Sequence, residues 1–233
     1  MKMSQATHAK KEGISFYVII PAHNEAAHIG SVLERTKNYV KGQRIIVVDD
    51  GSRDRTADEA KKHGVAVLRQ VINLGKGAAL RTGSVYASRK GAETLVFMDS
   101  DGQHDPEDLP GILSALSGND IVFTYRAMSR ADMPLVKKFG NSFINTVMKL
   151  FFHINIIDTQ CGYKAMTTEA YEKLRLMSND YSIESEIVAK TGKYKLKFTQ
   201  LPIKTIYADR YKGTTVFDGI SIVMRMLWWK IAR

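Results

Sequence analysis

An α/β fold, Rossmann-like and doubly wound, with a mostly parallel sheet and helices on both faces, is what this sequence predicts from three observations. Short apolar runs alternate with amphipathic ones through the first half. The apolar runs are nearly continuous rather than alternating, which suits strands buried on both faces. Three of them end in clusters of Asp, Asn, Gly or Ser, and those clusters would converge on the carboxyl rim of the sheet, where such folds bind ligands.

In chain order, strands are expected at 16–20 (FYVII), 44–48 (RIIVV), 65–68 (VAVL), 94–98 (TLVFM) and 120–124 (DIVFT), each bounded by turn residues. Helices are expected between them at 25–39, 54–63, 77–89 and 106–116. The last of these starts cleanly, with Asp105 as N-cap and Pro106 at the first helical position. The second half is less regular: helices at 134–151, 168–174 and 182–191, a strand at 195–206 and a final helix at 217–232. With no repeat and no low-complexity linker, 15–215 reads as one domain. A fraying segment precedes it at 1–14, and an amphipathic C-terminal helix follows at 216–233.

Composition narrows the class. The 233 residues are 44% hydrophobic and 25% charged, enough for a sizeable core, which excludes disorder, collagen and coiled coil. Lys and Arg number 34 against 24 Asp and Glu, a net charge of +10, and residues 190–233 hold ten of the cations against Asp209 and Asp218. That bias suggests an anionic partner: nucleic acid, lipid headgroups or a phosphorylated substrate. A single cysteine, Cys161, excludes a disulfide framework and a Cys-based zinc site and fits a reducing, cytoplasmic location. The polar start has no secretory h-region, and no run reaches a membrane-spanning length.

The strand-end clusters carry the chemistry. Pro21-Ala-His-Asn-Glu25 follows the first strand, Asp49-Asp-Gly-Ser52 the second, and Asp99-Ser-Asp-Gly-Gln-His104 the fourth. Each alone could be turn chemistry. Three on one rim point to a ligand. Asp99 and Asp101, two apart, can aim both carboxylates at one Mg²⁺ or Mn²⁺ facing a diphosphate, with Gln103 adding a carbonyl oxygen. His104 is either a further ligand or a turn residue. Asn73-Leu-Gly-Lys-Gly77 offers amides and Lys76 to an anion, or is a tight turn with a solvated lysine.

These motifs, in order and joined by Asp158-Thr-Gln-Cys-Gly-Tyr-Lys164, resemble the family 2 glycosyltransferases with the GT-A fold, nearest the polyprenyl (dolichyl) phosphate hexose synthases, over residues 15–215. The resemblance implies a nucleoside diphosphate sugar donor, of UDP-glucose, UDP-GlcNAc or GDP-mannose type. It places Pro21, His23, Asn24, Glu25, Asp49 and Asp50 around base and ribose, Lys76 and Ser100 at the donor, and Asp99, Asp101 and Gln103 on metal and diphosphate. His23 stands where the family usually has tyrosine. The segment Asp158–Gly162 is more similar to glucosyl-type synthases, which favours uridine. Arg126 and Arg210 would cradle the acceptor phosphate, with Arg130, Lys137 and Lys212 nearby. Val216 departs from the family's lysine, for which Lys212 is a substitute, and Lys137 and Lys138 read equally as a solvated helix face.

A phosphate monoester is already largely dianionic at pH 7, so its attack on the anomeric carbon needs no strong base, and a single displacement inverts that centre. Asp158, Glu184 and Glu186 are the candidate bases for the alternative acceptor, a sugar hydroxyl. A non-catalytic, basic nucleotide- or nucleic-acid-binding module is disfavoured, because no such motif is present and the rim acids would repel phosphate unless a metal intervenes. The final helix, apolar over most of its wheel with Trp228, Trp229, Arg225, Lys230 and Arg233, is expected to lie in the cytoplasmic surface of a membrane. Docking on its own domain or on a second copy in a homo-oligomer is the alternative, as is continuation of the chain into membrane spans.

Overall fold

The structure, a computed structural model, describes residues 15–126, 148–150, 152, 154–204 and 206. In chain order these form β1 (Phe16–Ala22), α1 (Ile29–Lys37), β2 (Ile45–Asp49), α2 (Thr56–Lys61), β3 (Ala66–Arg69), α3 (Lys76–Arg89), β4 (Thr94–Phe97), α4 (Leu109–Ala115), β5 (Ile121–Arg126), β6 (Lys164–Thr167), α5 (Thr168–Leu174), α6 (Ser182–Lys193) and β7 (Phe198–Ile203). One seven-stranded sheet runs in the order β3-β2-β1-β4-β6-β5-β7. All its pairings are parallel except those of β6, which runs antiparallel to both β4 and β5.

The period of two along each strand feeds two cores. On one face Ile19, Val48, Phe97 and Phe123 pack with Leu80 of α3 and Ile183 and Ile187 of α6. On the other, Val18, Ile20, Val47, Val96 and Tyr163 pack with Ile29 and Leu33 of α1 and Ile112 of α4. Both faces are covered, which is the physical reason the strands read as unbroken apolar runs. Helix α3 lies close on the sheet because Gly83 has no side chain: a Cβ there would meet Ile19 Cγ2 at 2.5 Å.

The differences from expectation are local. Strand β6 is not expected from the sequence, since four residues beginning with lysine carry no strand period. Helix α1 begins at Ile29 rather than 25, because Asn24 adopts φ +55° and the chain turns before entering it. Strand β7 starts at Phe198, after Lys195 at φ +51°. Of the helix expected at 134–151 only Met148–Leu150 are described, and they are helical. The final helix, with the whole segment 216–233, lies outside the described residues, as do 1–14. Among the described residues no helix is long and apolar enough to cross a membrane.

Candidate active site

Parallel pairing of β1 with β2 sets Ala22 beside Asp49, and with β4 sets Ile19 beside Phe97, so the three acidic and polar clusters emerge on one rim. The first two are knitted together. His23 Nδ1 lies 2.7 Å from the Asp50 carbonyl, the Asn24 amide donates to Ser52 Oγ at 2.9 Å, the Arg53 amide to Asn24 Oδ1 at 2.9 Å and the Glu25 amide to Thr56 Oγ1 at 2.8 Å. The Glu25 carboxylate pairs with His28 at 2.7 Å. Pro21 is a buried strand residue beneath this layer.

The adjacent acids take different roles. Asp50 accepts from the Leu74 and Gly75 amides, each at 2.8 Å, and so fastens the loop that presents Lys76. Asp49 is fully buried; its Oδ1 accepts from the Ser52 amide at 3.0 Å, while Oδ2 lies 3.1 Å from Arg69 Nε without an aligned hydrogen bond. That oxygen is met by charge but by no aligned hydrogen bond, so it keeps acceptor capacity on the rim.

The centre is a chain of buried charges. Lys76, at the start of α3, reaches Asp99 Oδ1 at 2.6 Å and Glu184 Oε1 at 2.8 Å, and Glu184 in turn pairs with Lys164. Burial raises the Asp99 carboxyl, but the Lys76 ammonium, with a smaller share from Lys164, outweighs it and holds it down to about 2, so Asp99 is ionised. Burial presses Lys164 down to about 7, with the Lys76 charge adding, while the Glu184 carboxylate in contact works to keep it protonated. Burial also lowers His104 below its ordinary range against the pull of Asp99 and Asp101. Its Nδ1 accepts from the Asp99 amide at 3.2 Å and its ring stacks on Tyr163, so the neutral ring carries its proton on Nε2 and serves the turn. Asp101 Oδ1 accepts from the Gln103 amide at 3.0 Å, and Ser100 is buried between the two acids.

No group of three or more His, Cys, Asp or Glu side chains placed to hold a metal ion by themselves occurs among the described residues. The pair Asp99 and Asp101 instead fits a hard cation that takes one or two carboxylates and completes its shell with phosphate and water.

Across the rim, Arg126 at the end of β5 makes a bidentate pair with Asp158, Nε to Oδ2 at 2.7 Å and Nη2 to Oδ1 at 3.1 Å. The Ile206 amide donates to the Gln103 carbonyl at 3.0 Å, which brings the chain beyond β7 to the acid cluster. Arg130, Lys137, Lys138, Arg210 and Lys212 lie outside the described residues. Glu186 turns away, accepting from the Met177 and Ser178 amides and pairing with Lys190.

Two positions were not singled out from sequence. Lys164 carried a signal, a lone lysine in the apolar run Cys161–Met166. Gly162 carried none: a Cβ there would meet Asp99 Oδ2 at 2.2 Å, so only glycine lets that carboxylate sit on the chain.

The glycosyl transferase family 2 pattern matches residues 17–175. The chain belongs to that family. It is therefore a glycosyltransferase, and the doubly wound sheet with its acidic rim is the family's GT-A architecture. The transferase is 36% identical to an uncharacterized protein of Methanocaldococcus jannaschii, covering 98% of this chain and 96% of that one. It is 31% identical to a UDP-N-acetylglucosamine–dolichyl-phosphate N-acetylglucosaminyltransferase of Methanococcus voltae, over 93% and 96% of the two chains. A dolichol-phosphate mannosyltransferase of Pyrococcus furiosus is 30% identical over 91% of this chain and 64% of its own. Among solved structures, glucosyl-3-phosphoglycerate synthase of Mycobacterium tuberculosis with UDP superposes at a TM-score of 0.77, with 21% identity over 100% and 87% of the chains, a likeness of fold.

Proposed function

We propose that the transferase moves a hexose, with inversion, from a nucleoside diphosphate sugar to a polyprenyl phosphate at the cytoplasmic surface of a membrane, using Mg²⁺ or Mn²⁺. The observation that carries this reading is the convergence of Lys76 on Asp99, next to Asp101, at the end of β4. A cation and two carboxylates at one point suit a diphosphate bridged by a divalent ion, and neither suits a neutral ligand. The UDP-N-acetylglucosamine and dolichyl phosphate in the name of the Methanococcus relative, and the dolichol phosphate in that of the Pyrococcus one, agree with it.

Asp99 and Asp101, with the Gln103 side-chain oxygen, would hold the ion, which when bound supplies charge neutralisation at the nucleoside diphosphate leaving group. Lys76 adds positive charge from the other side, steadied by Glu184. Asp49, with Pro21, His23, Asn24, Glu25 and the loop held by Asp50, would form the base and ribose end. A uridine donor is the reading the Asp158–Gly162 segment favours.

Asp158 supports the ionised acceptor. Both its oxygens accept from Arg126, and Oδ1 also from the Gln160 amide at 3.2 Å, so three of its about four acceptor positions are taken and the bidentate pair makes it a poor candidate to take a proton from a sugar hydroxyl. An acceptor that arrives ionised suits such a site. Arg126, with Arg210 and the neighbouring Arg130, Lys137 and Lys212, would hold the attacking phosphate in line.

Calorimetric titration with UDP- and GDP-sugars, with and without Mn²⁺, tests the donor side. The Asp101→Asn variant should lose metal-dependent donor binding and nearly all transfer to a short prenyl phosphate. Unchanged turnover at saturating Mn²⁺ would sink the metal assignment.

A further inference from the structure

We propose that the loop after β3 and the loop before α6 together form a docking surface for an anionic lipid bilayer, beside the mouth of the active site. Nine large hydrophobic side chains are exposed among the described residues, and five of them lie on these two loops: Val71, Ile72, Leu74, Met177 and Tyr181. Val71 is 98% and Met177 78% exposed. Isolated exposed apolar residues are ordinary, but a concentration of them is not.

The loops are built as one piece. Gly75, at φ +95°, and Gly77 come so close to the second loop that a Cβ on them would meet the Asn179 carbonyl at 2.4 Å and the Ser178 carbonyl at 2.1 Å. The Ala78 amide donates to the Asn179 carbonyl at 3.1 Å, and the Arg81 guanidinium donates to the Ser178 carbonyl and the Asn179 side chain. Asp50 clamps the first loop from below. Side chains held outward by such a frame have lost their freedom to fold inward, so their exposure is a property of the fold.

Charge selects the occupant. Arg69 and Lys76 are taken up by Asp49 and by Asp99 with Glu184, which leaves Arg81 of α3 and the exposed Arg175 of the second loop as the cations beside the tips, against the single loop acid Asp180. Arg81 binds two neutral oxygens and keeps its full charge. Apolar tips flanked by these two arginines match a lipid interface with anionic headgroups. Position agrees: Leu74 is two residues from Lys76 and Tyr181 three from Glu184, and both of those meet at the reaction centre. The inference rests on the polyprenyl phosphate reading, since an acceptor whose chain stays in the bilayer can reach the rim only if the rim approaches the headgroups.

Because the native Cys161 is buried, a fluorophore sensitive to polarity can be attached at Val71→Cys or Met177→Cys in the full chain. With vesicles of phosphatidylcholine and phosphatidylglycerol, both labels should shift to the blue, while a label at Lys61→Cys on α2 should not. Ile72→Ser with Met177→Ser should weaken vesicle binding about tenfold or more. Labels at 71 and 177 that remain in water while the chain sits on vesicles would overturn the proposal, leaving another segment as the anchor. So would labels that become buried without vesicles as protein concentration rises, which is the signature of a second copy. Transfer to a short, water-soluble prenyl phosphate is measured alongside: its absence sinks the acceptor reading, whereas intact transfer with unshifted labels sinks the docking surface alone.

Discussion

At the scale of single residues, the site is a set of charges that hold one another ionised. Asp99 is held at about 2 against an ordinary 3.8, because Lys76 and its neighbours outweigh the cost of burial. The unfolded chain therefore takes up a proton between about pH 4 and 2 that the folded chain does not. The contribution of this carboxylate to stability is complete above about pH 4 and is lost as pH falls through 2. Urea midpoints measured across that range should fall more steeply for the native chain than for Asp99→Asn. The second residue-scale prediction concerns Gly162. Its missing Cβ leaves room for the Asp99 carboxylate, and Gly162→Ala would push that group by an ångström or more. Misplacement of that order costs about 10²-fold in rate. Steady-state assays should find that loss in kcat while circular dichroism stays native; retained kcat would mean the carboxylate relaxes harmlessly.

At the scale of elements, the inserted antiparallel strand decides the most. β6 carries Lys164 between β4 and β5, opposite Phe97 and Phe123, and delivers its ammonium to Glu184 on α6. Both groups are buried, so removing one strands the other's charge. Lys164→Met should cost about 3–5 kcal/mol in denaturant unfolding, and the paired change Lys164→Met with Glu184→Leu should cost less than the single one. Additive losses would mean the two groups do not act as a pair. The helices show how local chemistry survives in the whole: Asp105 accepts from the Glu107 amide before Pro106, though it caps a 3-10 turn, Pro106–Asp108, that leads into α4 rather than α4 itself, and Thr167 caps α5 through the Ala170 amide. β6 itself was not legible. Its four residues lack a strand's period, and its pairing partners lie about 40 and 70 residues away, a non-local choice that no window can see.

At the scale of the whole molecule, the net charge of +10 and the C-terminal segment bear on membrane attachment. Deleting residues 217–233 should weaken co-sedimentation with anionic liposomes while transfer to a water-soluble prenyl phosphate persists. A truncated chain that melts early yet sediments as strongly as the full chain would refute the anchor and favour a docked helix. If the loops at 71–74 and 177–181 also touch the bilayer, the truncated chain should retain a weaker, salt-sensitive binding.

The sequence by itself determined the fold class and the rim. Buried parallel strands must be apolar on both faces, so β1, β2, β4 and β5 declare themselves, and the polar clusters at three of their ends mark the ligand side without any knowledge of packing. It also singled out Asp99, Asp101 and Lys76, because a phosphate site needs those residue types close to a turn. Only the tertiary structure decided how the charges pair: that Lys76 bridges Asp99 and Glu184, that Asp50 serves the Lys76 loop, that Arg126 is locked to Asp158, and that Gly162 and Lys164 belong to the site. The physical reason is distance along the chain. A strand's burial is written in its own few residues, whereas a buried ion pair is a contest among groups 23 to 108 residues apart, settled by which of them the sheet brings within 3 Å.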